Sequence, residues 1–79
     1  MPKTFIVLVD PKNENFLAII REVGKQMSEA GLNPQTLPAV NKHITICSLF
    51  TGEPNYGLAE FLCDIKGVSN VEINNGGGK

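Results

Sequence analysis

The chain lacks most of the residues that mark specialised classes of protein. Its 79 residues include no tryptophan, one tyrosine, one histidine and two cysteines. Two cysteines are too few for a disulfide scaffold, so we expect reduced thiols and a cytosolic location. No apolar run approaches the ~20 residues that a membrane helix needs. The N-terminus also lacks the basic segment and long apolar stretch of a signal peptide, so the sequence predicts neither a secreted nor a membrane protein.

Charge of one sign is also scarce. Seven Lys and Arg residues stand against eight Asp and Glu residues, which gives a formal net charge of −1. A surface that binds the phosphates of DNA or RNA is expected to be strongly basic. The charge therefore does not support a nucleic-acid partner.

Hydrophobic residues make up 42% of the chain, which favours a folded domain over a disordered chain. A domain of this size buries only about 60% of the surface of its unfolded chain, so its stability is marginal. Small domains often gain stability from disulfides, a metal or a partner subunit. We expect one domain over residues 1–74, followed by a flexible glycine-rich tail over residues 75–79.

Apolar spacing predicts four strands and two helices in the order βαββαβ. The strands are expected at residues 5–9, 35–40, 43–50 and 70–73, with a tight turn at residues 41–42. This order is that of ferredoxin-like α+β proteins, in which two helices cover one face of a four-stranded antiparallel sheet. Strands one and three are then central. Pro38 places the second strand at an edge, because proline cannot donate a hydrogen bond to a neighbouring strand.

The first helix is expected to follow Asn13 or Asn15 as its cap, with Glu14 in its first turn. Gly31 stands where a left-handed residue ends many helices. Gly24, inside the helix, is expected to mark a close approach to the sheet. The predicted apolar stripe of this helix contains Phe16, Leu17, Ile20, Val23, Met27 and Ala30.

The second helix is expected to begin near Pro54, with Thr51 or Glu53 at its cap, and to end at Gly67. Its apolar residues recur at helical spacing. They are Leu58, Phe61, Leu62 and Ile65.

The two central strands carry apolar residues on both faces. Side chains alternate between the faces of a strand. The first strand places Phe5, Val7 and Val9 on one face and Ile6 and Leu8 on the other; the third separates Ile44, Ile46, Ser48 and Phe50 from His43, Thr45, Cys47 and Leu49.

A sheet face that no helix covers should be polar in a monomer, and a large exposed apolar patch usually marks an interface. We therefore predict a homodimer that associates through the open face or by joining edge strands. The expected interface residues are Val7, Val9, Cys47 and Leu49. A protein partner is a further possibility, and a tail or loop folded over the face is the alternative.

Asp10, at the end of the first strand, has two interpretations. It is either a turn residue that ends the strand before Pro11 or a magnesium ligand, because a dimer can bring two such carboxylates to one metal ion. No second carboxylate stands beside it in the sequence.

The remaining reactive side chains predict no catalytic constellation. His43 and Cys47 lie two pleats apart on one strand, which is too far for a nucleophile and its base. Cys63 is the sole additional thiol, and a zinc site wants three or four ligands. We expect both cysteines to be small buried hydrophobic residues and Phe5 and Phe50 to pack in the core.

Three families resemble this sequence. "FIVLVD" ending at Asp10, "NKHITICSL", "GLAEFL" and "VEINNGG" resemble the superfamily of the small homodimeric CRISPR-adaptation subunit and the mRNA-cleaving type V antitoxin. That resemblance implies a nuclease in which Asp10 faces its copy in the partner and binds magnesium. "KTFIVLV" and "DIKGVSNVEINN" are similar to the subtilisin propeptide and inhibitor family, which implies a tail that enters a protease cleft. "GVSNVEI" is similar to ligand-binding ACT modules.

From the residues, the expected function is that of a small cytosolic, dimeric binding or regulatory module. Metal-dependent cleavage of RNA or DNA at paired Asp10 residues and protease inhibition are the alternatives.

Overall fold

A computed structural model describes residues 3–40 and 43–74 of the chain. The elements are β1 (Lys3–Val9), α1 (Phe16–Glu29), β2 (Gln35–Val40), β3 (His43–Phe50), α2 (Tyr56–Cys63) and β4 (Val68–Asn74). This is the predicted βαββαβ order. The predicted turn at residues 41–42 and the predicted tail at residues 75–79 lie outside the described residues.

The four strands form one antiparallel sheet in the order β2-β3-β1-β4. This confirms the ferredoxin-like α+β fold, with β1 and β3 in the centre. β2, which contains Pro38, lies at one edge as predicted, and β4 lies at the other. Among the described residues, no helix has both the length and the apolar character that a bilayer crossing requires.

The core lies between the two helices and one face of the sheet. Its centre is β1, where Phe5, Val7 and Val9 are 0–1% exposed. The register places Val7 opposite Ile46 of β3 and Val71 of β4. Burial of such side chains contributes about 1.5–3 kcal/mol each, so β1 supplies a large part of the stability of this small domain.

Helix α1 packs on the sheet through Ile19, Val23 and Met27, which are buried. These residues follow each other at intervals of four and therefore share one face of the helix. The structure corrects the predicted stripe in three places, the first being Ile19, which is buried but was not among the predicted residues. Leu17 is 60% exposed, because it lies two residues before Ile19 and points away from that face, and Ala30 follows the helix and is exposed.

The second helix begins later than predicted, whereas the first follows Asn15 as predicted. Helix α2 starts at Tyr56, and the side-chain Oδ1 of Asn55 accepts a hydrogen bond from the Leu58 backbone N–H at 2.9 Å. Thr51 and Glu53 are therefore not its cap, and Pro54 precedes the helix. An amide oxygen at this position satisfies one of the free N–H groups of the first turn.

Helix α1 has Asn15 at its cap position, but the Asn15 side chain makes no capping hydrogen bond. The side-chain oxygen of Asn13 instead accepts a hydrogen bond from the Asn15 backbone N–H at 2.9 Å. Glu14 lies before the helix and not in its first turn. Gly31 has a φ of 90°, as predicted for a residue after a helix end.

Gly67 is the residue whose lack of a side chain the fold requires. Its φ is 101°, and its carbonyl accepts a hydrogen bond from the Asp10 backbone N–H at 3.0 Å. A Cβ on Gly67 would overlap Cδ1 of Ile19 and would lie 3.0 Å from Nδ2 of Asn13. Gly67 therefore allows the start of β4 to pass close to α1; it does not end α2, which stops at Cys63.

Gly24 has the opposite environment. A Cβ on Gly24 would meet nothing within 4 Å, so the prediction of a close approach at this position is wrong.

The two glycines give a matched pair of stability tests. We expect Gly67→Ala to lower the free energy of unfolding by about 2 kcal/mol, because the new Cβ meets Ile19 and the backbone is left-handed. Gly24→Ala should raise it by about 1 kcal/mol, because alanine is the better helix former. Urea denaturation followed by circular dichroism measures both. Equal effects of the two substitutions would contradict the assigned contact.

Candidate functional site

The two described helices leave the opposite face of the sheet uncovered. Its side chains form three rows across the strands, as the pairing register shows. The rows are Gln35–Cys47–Ile6–Glu72, Leu37–Thr45–Leu8–Asn70 and Leu49–Thr4–Asn74. We call these residues the open face.

The open face is apolar in its centre and polar along β4. Leu49 is 63% exposed and Leu37 is 42% exposed, while Ile6, Leu8 and Cys47 are half-buried. Leu37, Cys47 and Leu49 line a shallow depression of about 280 Å³. On β4 the face carries Asn70, Glu72 and Asn74 instead. The exposed apolar residues of the open face therefore lie on β2 and β3, and its polar residues lie along β4 and at Thr4 and Thr45.

Two of the four predicted interface residues do not belong to this face. Val7 and Val9 have no exposed surface and lie beneath the helices. Val7 pairs with Ile46 and not with Cys47, so the valines occupy the opposite side of the sheet. The structure thus places Cys47 and Leu49 on the open face. It corrects the expectation for Val7 and Val9, because the β1 residues on this face are Ile6 and Leu8 instead.

Asp10 lies in the turn that joins β1 to α1. Its side-chain Oδ1 accepts a hydrogen bond from the Lys12 backbone N–H at 2.9 Å, and its carbonyl accepts one from the Asn13 N–H at 3.2 Å. An aspartate that bonds to the backbone two residues further on stabilises a local turn. The geometry around Asp10 is therefore that of the turn interpretation.

No metal-binding cluster accompanies Asp10 in the described part of the chain. Residues 3–40 and 43–74 contain no group of three or more His, Cys, Asp and Glu side chains arranged to hold an ion. His43 and Cys47 are four residue steps apart on β3, which at ~3.3 Å per step is about 13 Å. The strand therefore keeps the imidazole and the thiol out of direct contact.

Neither cysteine is fully buried, in contrast to the prediction. Cys47 is half-buried on the open face, and Cys63 is exposed at the last position of α2. Both thiols are free. Leu62 is the buried residue of α2. Cys63 follows it directly, so its side chain points away from the buried side of the helix and toward solvent.

The aromatic side chains of the sheet belong to the core. Phe5 is 1% exposed, and Phe50 packs against the core cluster. Both lie on the helix side of the sheet, so the open face offers neither of them to a base or another planar ligand.

Two polar contacts of the sheet, one on its helix side and one on its open face, could not be identified from the sequence. Ser48 is buried; its Oγ accepts a hydrogen bond from the Asn33 N–H at 3.0 Å and donates one to the Leu49 carbonyl at 3.1 Å. Asn70 donates from Nδ2 to Oε2 of Glu72 at 3.1 Å on the β4 rim. The alternation of polar residues in β4 was visible in the sequence, but its position beside Ile6 and Leu8 follows from the register.

No protein-family model, curated protein or solved structure matches the chain. The three resemblances drawn from the sequence therefore stay predictions, as do the nuclease and inhibitor activities that they imply.

Asp10 can be tested as a turn residue. Asp10→Asn keeps the accepting Oδ1 and should change the free energy of unfolding by less than about 0.5 kcal/mol, whereas Asp10→Ala should lower it by about 1 kcal/mol. Millimolar magnesium should leave the thermal midpoint of all three proteins unchanged. Stabilisation of the wild type alone by magnesium would contradict the turn interpretation and favour a metal ligand.

Proposed function

We propose that the chain is a small cytosolic binding and regulatory module that acts as a homodimer, with a second copy covering the open face. The exposed apolar centre of that face is the observation that supports this function. Removing apolar side chains from water lowers the free energy of the complex. The side chains that a second copy would cover are the exposed Leu49 and Leu37 and the half-buried Ile6 and Leu8.

The size of the face predicts a weak and reversible dimer. Four strands of 6 to 8 residues give a face about 19 Å wide and about 20 to 26 Å long, at ~4.8 Å between strands and ~3.3 Å per residue. This area is smaller than the ~800 Å² per partner of a typical stable interface. We therefore expect a dissociation constant in the micromolar range, which suits an association that responds to concentration or to a competing partner.

The polar rim gives the dimer its orientation. Asn70, Glu72 and Asn74 line one edge of the face, and Leu37 and Leu49 lie toward the other edge. A second copy that buries the leucines is therefore centred on β3 and β1 and leaves β4 in contact with water. Displacement toward β4 would bury the carboxylate of Glu72, which is costly without a charged partner.

Leu49 and Leu17 allow a matched test of the face. Both are leucines of nearly equal exposure, 63% and 60%, but Leu17 lies on α1. Leu49→Lys should weaken association at least about tenfold, since each copy loses the burial of a leucine worth about 1.5–3 kcal/mol. Leu17→Lys should leave association unchanged. Light scattering across a dilution series, at concentrations where the wild type is a dimer, gives the masses.

A wild-type protein that stays monomeric at high micromolar concentration would contradict the proposed dimer. Equal effects of the two lysine substitutions would show that the association uses a surface other than the open face.

The two cysteines give a second and independent readout. Cys47 lies on the open face and Cys63 lies on α2. The reaction of Cys47 with a thiol reagent should slow as the protein concentration rises, because the second copy covers it, while the reaction of Cys63 should not change. Single-cysteine variants Cys47→Ser and Cys63→Ser separate the two rates. A concentration-independent rate at Cys47 would argue against the proposal.

A further inference from the structure

The two edges of the sheet differ in how they are protected from pairing with another strand. β2 contains Pro38, which lacks a backbone N–H, and its pairing with β3 is irregular between Leu37 and Val40. β4 has seven residues without proline, and Glu72 is its only charged residue. Prolines, irregularities and inward charges are devices that prevent edge pairing. Both edge strands pair irregularly, since the β1–β4 register also shifts between Leu8 and Val9. Only β2 contains a proline, so β4 alone keeps a backbone N–H at every position and is the edge better able to pair with another strand.

We infer that β4 is a second association site, at which it pairs antiparallel with β4 of another copy of this chain. The two sheets then join into one sheet of eight strands. This contact goes beyond the proposed function, because it uses the backbone edge of the sheet and not the open face.

The side chains of β4 select one register for this pairing. Two identical antiparallel strands are related by a two-fold axis perpendicular to the sheet, and residues directly opposite each other share a face. An axis at Glu72 would place two carboxylates opposite each other, which is destabilising. An axis at Val71, the midpoint of β4, pairs the strand over its whole length and places Asn70 of each copy opposite Glu72 of the other, so the amide meets the carboxylate twice. An axis at Ile73 would place Asn74 opposite Glu72 but would pair only residues 72–74 of each strand.

The geometry within one chain shows that these two groups can bond on this face. Nδ2 of Asn70 reaches Oε2 of Glu72 at 3.1 Å along the strand, although residues two apart in a strand are separated by ~6.6 Å. Directly opposite residues on neighbouring strands have Cβ atoms only ~5 Å apart. The cross-strand bond therefore needs less extension of the side chains than the bond already present.

The helix side of β4 suits the same register. Val71 is half-buried and packs against the core, as does Ile73. With the axis at Val71, this residue meets Val71 of the other copy, and an apolar contact continues across the joined sheets. The bulge near Ser69, where the β1–β4 register shifts between Leu8 and Val9, lies outside the three central pairs.

The test uses exposed residues whose substitution leaves the core intact. In the Leu49→Lys background, which lacks the face contact, Asn70→Glu should weaken the remaining association about tenfold, because it places carboxylates opposite each other twice. Asn70→Lys should strengthen it several-fold. Asn70→Glu combined with Glu72→Lys should restore it. Gln35→Glu is the matched control, since it makes the same change from amide to carboxylate on the open face at the β2 edge.

Hydrogen exchange of the backbone amides identifies the edge directly. Association through β4 should slow exchange within residues 68–74 as concentration rises and leave residues 35–40 unchanged, whereas contact between open faces leaves both edges free to exchange. The inference is overturned if exchange in β4 does not depend on concentration, or if Gln35→Glu and Asn70→Glu act alike. The same comparison in the wild-type background keeps the test valid if Leu49→Lys has no effect and the proposed face dimer fails.

Discussion

The structure depends on a mismatch between its central strand and its two helices. β1 is apolar on both faces, but α1 and α2 lie on one side of the sheet only. Phe5, Val7 and Val9 are removed from water by the helices, whereas Ile6 and Leu8 lie on the other face and are half-buried between their neighbours on β3 and β4. An antiparallel sheet that helices cover on one side usually has a polar opposite face, and this sheet instead carries Ile6, Leu8 and Leu49 there. The proposed association through the open face would cover these apolar residues.

On the helix side of the sheet, three elements meet in a close contact around Gly67. The Gly67 carbonyl accepts a hydrogen bond from the Asp10 N–H, and Gly67 lies against Ile19. The side-chain oxygens of Asp10 and Asn13 accept backbone hydrogen bonds in the turn between β1 and α1. This junction links the end of β1, the beginning of α1 and the start of β4. Asp10 thus serves the connection between three elements, and its carboxylate oxygen is engaged with the backbone of its own turn. Asp10, one of whose two interpretations was a magnesium ligand, thus has a structural role in the turn after β1.

Edges and faces offer different kinds of association. Contact between open faces gains free energy from apolar burial, which has little directional preference. Pairing at β4 depends on backbone hydrogen bonds and on the alternation of Asn70, Val71 and Glu72, so it specifies register. The two contacts share Asn70 and Glu72 on β4, but the proposed face contact is centred on β3 and β1, so a change at Leu49 leaves the β4 edge available. Face dimers joined through β4 would form larger assemblies at high concentration.

The sequence by itself determined the order of the elements, the central position of β1 and β3 and the edge position of β2, because hydrophobic period and proline act locally. It also indicated that Cys47 and Leu49 share a face. Only the tertiary structure decided which face the helices cover, and that choice moved Val7 and Val9 from the expected interface into the core and exposed Leu17 and Cys63. The tertiary structure also decided that the close approach between elements occurs at Gly67, where β4 passes α1, and not at Gly24. Alternation states which residues lie together, but the side on which α1 and α2 pack is set by contacts between residues far apart in the chain.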